Sequence, residues 1–130
     1  LLNTANPKKS KRWVLLRHTG APDDLMGIHF DFLLEDKEFC RTWRLSDIPI
    51  LDGPYVNSSY IHPHKLSWLD TEEKVLSGNR GIATRIKKGI FWESLPFIPI
   101  DFIKLSLQWE NIECDLLINE NGCRIFSKRY

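Results

Sequence analysis

The stretch IHFDFLLE, residues 28–35, decides the fold. Ile28, Phe30, Phe32 and Leu34 alternate with His29, Asp31, Leu33 and Glu35. A period of two marks a strand, because successive side chains leave opposite faces of the pleat. The first set predicts a core face. The second set carries an imidazole and a carboxylate two residues apart, so His29 and Asp31 project side by side. Upstream, WVLLRH (13–18) reads as a second strand, and TGAPDDLMG (19–27) as a loop, with its glycines, proline and two aspartates. Downstream, a turn at Asp36-Lys37 returns the chain into FCRTWRL (39–45) as a partner strand.

The rest of the chain repeats this grammar. Residues 46–63, with Pro49, Pro54 and Pro63, read as a long irregular connection. HKLSWLDTEE (64–73) fits either a short strand or one helical turn. SGNRG (77–81) is a glycine-bounded turn, and residues 82–93 read as a hairpin around Gly89. FIKLSLQWE (102–110) and IECDLLIN (112–119) read as strands. A two-residue turn at Asn121-Gly122, which sets Glu120 opposite Cys123, leads into a last strand over 123–128. No amphipathic helix longer than about two turns is visible, and short strands with regular turn signals predict a mainly β fold, a small antiparallel β-barrel or sandwich with short helical turns.

Composition bounds the function classes. The chain has 130 residues, 42% hydrophobic and 27% charged, with a net charge of +1. One domain over residues 13–130 is expected, preceded by a flexible basic tail over 1–12 that ends in Lys8, Lys9, Lys11 and Arg12. The balance excludes a polycation or an acidic tail protein. No run approaches the roughly 18 apolar residues of a membrane helix, and no secretory signal pattern is present. Cys40, Cys114 and Cys123 form no CxxC pair, which argues against a disulfide scaffold or zinc ribbon and favours a reducing, cytoplasmic setting.

The polar face of 28–35 is where chemistry is expected. His29 and Asp31 are two neighbouring metal ligands, and His18, at the end of the preceding strand, is a candidate third. Two imidazoles and a carboxylate suit Mn²⁺, Zn²⁺ or Fe²⁺ better than Mg²⁺ or Ca²⁺. His62 and His64 flank Pro63, and Asp70, Glu72 and Glu73 form an acidic cluster. Both groups also read as ordinary surface. Arg80, bounded by glycines in SGNRG, offers a guanidinium fork to a phosphate. Neither GxGxxG nor GxxxxGK[ST] occurs, and no K-x-D-G lysine nucleophile is present.

The order RH (17–18), HFDFLLE (29–35), TWRL (42–45), H-x3-W-x-D-x-E (64–72) and SGNRG (77–81) resembles the 3′-phosphoesterase domain of bacterial DNA ligase D, and more closely its small stand-alone relatives. The resemblance covers roughly residues 13–92. It implies a compact β-barrel that binds Mn²⁺, or another divalent transition metal, and removes a 3′-phosphate or a 3′-terminal ribonucleoside from DNA ends in repair. It implies His18, His29 and Asp31 as metal ligands and His64 as an active-site residue on the scissile phosphate. Trp68 stands where a tyrosine is common, in a substrate-binding position, and Asp70 and Glu72 match acidic positions.

The family pattern departs at Leu33, where an arginine usually follows the metal-binding aspartate by two residues. The loop between His18 and His29 is also longer here. Arg80 is expected to take over the missing phosphate contact. Arg17 is set aside because it alternates away from His18, and Arg44 because it lies further along the partner strand. Expected partners are DNA or RNA-tailed DNA 3′ ends, with a ligase or polymerase acting in trans; the protein is expected to be monomeric and off the membrane. The alternative is a catalytically weak or inactive module of the same fold that binds nucleic-acid ends.

Overall fold

The computed structural model describes residues 9–25, 27–92, 95–96 and 102–128. Nine strands run in chain order: β1 (Lys11–Thr19), β2 (Ile28–Asp36), β3 (Phe39–Leu45), β4 (Ser58–Lys65), β5 (Glu73–Val75), β6 (Ile82–Phe91), β7 (Phe102–Trp109), β8 (Ile112–Asn119) and β9 (Gly122–Ser127). A 3-10 turn, Leu66–Asp70, separates β4 from β5. The strands form one antiparallel sheet ordered β4-β3-β2-β1-β6-β7-β8-β9, with β5 paired to β6 outside this path. The sheet curls through 220° into a half-barrel. A bridge between Val56 and Cys123 ties the approach to β4 onto the start of β9. No helix among the described residues is long and apolar enough to cross a membrane.

The alternation in β2 builds two cores, not one. Phe30, Phe32 and Leu34 join Trp13, Leu15, Trp43, Trp109 and Ile125 in the barrel interior. Trp13 anchors it, with its ring stacked 4.8 Å from Trp109 and tilted against Phe32 at 5.5 Å. Each such side chain contributes about 1.5–3 kcal/mol on full burial. On the other face, Val14, Leu16, Leu33 and Cys40 pack under Leu69 of the 3-10 turn. That turn is pinned by Arg12 Nη1 donating to Asp70 Oδ1 at 2.7 Å and Arg85 Nη1 donating to the Leu69 carbonyl at 3.3 Å. The turn therefore roofs Leu33 on this face, and His29 and Asp31 are themselves buried.

Several boundaries differ from the sequence reading. Lys11 and Arg12 belong to β1, and residues 1–8 of the expected tail lie outside the described residues. The expected irregular stretch 46–63 contains most of β4; Pro63 is tolerated there because β4 is an edge strand needing no outward ladder donor. The expected hairpin around Gly89 is a single strand. Gly89 serves close packing: a Cβ there would lie 2.6 Å from Trp13 Nε1. The β2–β3 turn uses Lys37-Glu38, and the last hairpin uses Glu120-Asn121, so Cys123 faces Ile118 instead of Glu120. All three cysteines are unbridged and buried.

Candidate metal centre and basic cleft

Register brings the three predicted ligands together. In antiparallel pairs, directly opposed residues share a face. His18 lies opposite His29, and Leu16 opposite Asp31, across β1–β2. The ligand atoms of His18, His29 and Asp31 all fall within 4.8 Å of one another. His18 Nδ1 is 3.1 Å from His29 Nε2, which in turn is 3.6 Å from Asp31 Oδ2.

The outer ring nitrogens are committed. His29 Nδ1 donates to Asp24 Oδ2 at 2.8 Å, and His18 Nε2 donates to the Arg80 carbonyl at 2.7 Å. A carbonyl and a carboxylate only accept, so each neutral ring turns a lone pair inward. Two nitrogen lone pairs and a carboxylate oxygen then converge with nothing to share unless a cation sits among them. A proton is one such cation. The pull of Asp31, with a further contribution from Asp24, raises the His29 pKa above its ordinary value despite desolvation. A divalent metal is the other. Two nitrogens on one ion at about 2.0–2.1 Å sit about 3.0–3.4 Å apart, which matches the 3.1 Å found here. Asp31 Oδ1, buried and without a hydrogen-bond partner, adds a second orphaned acceptor. The residues fit a metal, and Asp24 and the Arg80 carbonyl are the outer partners that hold such imidazoles in place.

The loops that supply those partners are fixed by glycine. Gly81 has φ +94°, and a Cβ there would lie 1.9 Å from the Thr19 carbonyl oxygen. Only glycine lets the SGNRG turn lie against the end of β1, which delivers the Arg80 carbonyl to His18.

The triad opens into a cleft of about 820 Å³ whose wall includes His18, Asp31, Arg44, His64, Lys65 and Arg80. His64 Nδ1 donates to the His62 carbonyl at 3.2 Å, leaving Nε2 as the lone-pair nitrogen. Burial pushes the His64 pKa below its ordinary value, so the ring is neutral near neutral pH. Trp68 also lines the cleft, with its ring 6.4 Å from His64 and Lys74 Nζ 5.5 Å from its centroid. Asp70 is turned toward Arg12 instead.

Two arginines differ from expectation. Arg80 is on the cleft side, as anticipated, but its guanidinium folds back: Nε donates to the Ser77 carbonyl at 2.8 Å and Nη2 to Ser77 Oγ at 3.2 Å. Arg44 does not lie further along β3 from the site. It stands directly opposite Asp31, with Nε 3.9 Å from Asp31 Oδ1. The signal was available, since counting back from any tight turn at 36–38 sets Arg44 opposite His29 or Asp31. Leu33 shares their face, as expected, yet is fully buried beneath the 3-10 turn. Asp24 had no signal beyond its place in a polar loop.

No model of a known protein family matches this sequence, and no curated protein matches it.

Proposed function

We propose that this protein is a metal-dependent phosphoesterase acting on nucleic-acid 3′ ends, with Mn²⁺ or a similar divalent transition metal held by His18, His29 and Asp31. The observation that carries this reading is the convergence of two inward lone pairs and a carboxylate at the floor of a cleft walled with cations. The resemblance of the ordered motifs to the 3′-phosphoesterase domain of DNA ligase D supports the choice of substrate. Bound there, a divalent metal supplies Lewis-acid stabilisation of phosphoryl oxygens.

The chain's own groups supply the rest. Arg44, Lys65, Lys74 and Arg80 give the cleft the sign of charge that concentrates a phosphodiester. His64, kept neutral by burial, accepts at Nε2 the proton of the attacking water. Water adds to phosphorus, the phosphorus–ester oxygen bond breaks, and the departing oxygen takes up a proton. Asp24 and Asp31 hold the His29 ring in register throughout, and the Arg80 carbonyl holds that of His18.

The test is end processing. Purified protein with Mn²⁺ should convert a DNA primer bearing a 3′-phosphate or a single 3′-ribonucleotide, and chelator or Asp31→Ala should abolish it. A second reading is favoured by Leu33: no arginine from β2 faces the cleft. If metal-loaded protein binds such ends but leaves them intact, a silent end-binding module replaces the enzyme.

A further inference from the structure

We propose that Arg44 is the phosphate-binding residue of the cleft, holding substrate oxygens with its terminal nitrogens while Nε faces Asp31. The inference rests on the phosphoester reading above and names a residue that neither the motif resemblance nor the sequence reasoning selected.

The first argument is an unmet hydrogen bond. Arg44 Nε is buried and has no hydrogen-bond partner, and so is Asp31 Oδ1. The two are 3.9 Å apart, close enough for ionic attraction but too far for a hydrogen bond. Leaving a buried donor unpaired is costly, because its lost hydration is not replaced. A charged partner in the cleft that draws the guanidinium into register relieves this cost. An anion does so and Asp31 alone does not.

The second argument is position. Asp31 sits between two neighbours: Oδ2 turns to His29 Nε2 at 3.6 Å, and Oδ1 turns to Arg44 Nε at 3.9 Å. An anion drawn to a cation among His18, His29 and Asp31 therefore arrives beside Arg44. The Arg44 side chain is 41% exposed, so its outer edge reaches the cleft even though Nε is buried. A guanidinium presents five N–H groups in a rigid fork, which suits paired phosphate oxygens.

The third argument is elimination among the cations of the wall. Arg80 spends its fork on Ser77. Lys74 lies over Trp68, and Lys65 is exposed at the end of the edge strand β4. His64 is neutral and turned to the His62 carbonyl. Arg44 alone among these combines a buried, partnerless donor with contact to a proposed metal ligand.

The experiment is calorimetric titration, with Mn²⁺ present, of a short oligothymidylate bearing a 3′-phosphate and of its 3′-hydroxyl counterpart. Wild type, Arg44→Ala, Arg44→Lys and Arg80→Ala are compared, and Mn²⁺ affinity is measured on each without nucleotide. Loss of a charge-assisted contact should weaken phosphate-end binding by roughly tenfold to a hundredfold in Arg44→Ala. Arg44→Lys should recover part of it, Arg80→Ala should change it less, and Mn²⁺ affinity should stay near wild type in both Arg44 variants. Unchanged phosphate-end binding in Arg44→Ala, with wild type still preferring the phosphate, overturns the inference and leaves the phosphoester reading standing. Loss of Mn²⁺ affinity in Arg44→Ala also overturns it, because Arg44 would then act only by shaping Asp31. If wild type shows no preference for the phosphate end, the phosphoester reading itself fails.

Discussion

His18 and His29 face each other across the β1–β2 ladder with Nδ1 and Nε2 3.1 Å apart, and each ring ties its other nitrogen to an acceptor. This pairing makes the site a competitor for cations. A metal bound there would contend with a proton for the same lone pairs.

The competition has a sign. His29 has a raised pKa, first through Asp31 and then Asp24. In metal-free protein, the proton on His29 contributes stability that is fully present below the unfolded histidine value of about 6.5 and is lost as pH rises through the higher folded value. Metal must displace that proton, so Mn²⁺ affinity should fall as pH drops toward and below 6.5, with measurable proton release on binding. Asp24→Asn keeps the size of the side chain but weakens the carboxylate partner of His29. It should lower metal affinity by about 10–100-fold while the fold persists. Titration calorimetry in buffers of different ionisation enthalpy measures both effects. Affinity that is flat across this pH range, or unmoved in Asp24→Asn, contradicts the arrangement.

Gly81→Ala should damage the site without touching a ligand. The added methyl meets the Thr19 carbonyl oxygen, and the left-handed φ of +94° is unfavourable for alanine. The turn must move, and it carries the carbonyl that orients His18. A stability loss of about 1–3 kcal/mol is expected, with weakened Mn²⁺ binding alongside. Denaturant melts and metal titration on the same sample check the pair. A destabilised protein with wild-type metal affinity would separate the glycine from the site.

The alternation in residues 28–35 made the strand, the main core and the shared face of two of the three candidate ligands legible from sequence. A side-chain period of two is a local property, and His29 and Asp31 obey it. What covers that face is not local. Leu69 and the 3-10 turn come from far along the chain, so the second core around Leu33 was invisible. Gly89 failed for the same reason. A glycine between two short strand-like runs signals a turn, but here it makes room for the Trp13 indole from a neighbouring strand. Arg44 was a different kind of miss, since counting back from a two-residue turn sets it opposite His29 or Asp31, on the face of the site either way.

The cysteines offer a probe of the roof over the site. Burial pushes the thiols of Cys40 and Cys123 up to about 12 and that of Cys114 up to about 11. At mildly alkaline pH almost no thiolate exists, and the thiolate is the reactive form. Native protein should therefore resist alkylation at all three positions, and denatured protein should react at all three. Partial opening should break the symmetry. Cys114 and Cys123 lie in the main barrel core, whereas Cys40 lies in the small cluster beneath Leu69, with Sγ 3.9 Å from the Lys65 carbonyl. Small clusters under single turns open at lower free energy than barrel cores. Under native conditions with excess alkylating reagent, Cys40 should be modified first, and peptide mass spectrometry over time reads the order. Leu69→Ala should accelerate Cys40 modification while leaving Cys114 and Cys123 protected. Simultaneous modification of all three in both proteins would mean that the roof and the barrel open as one unit.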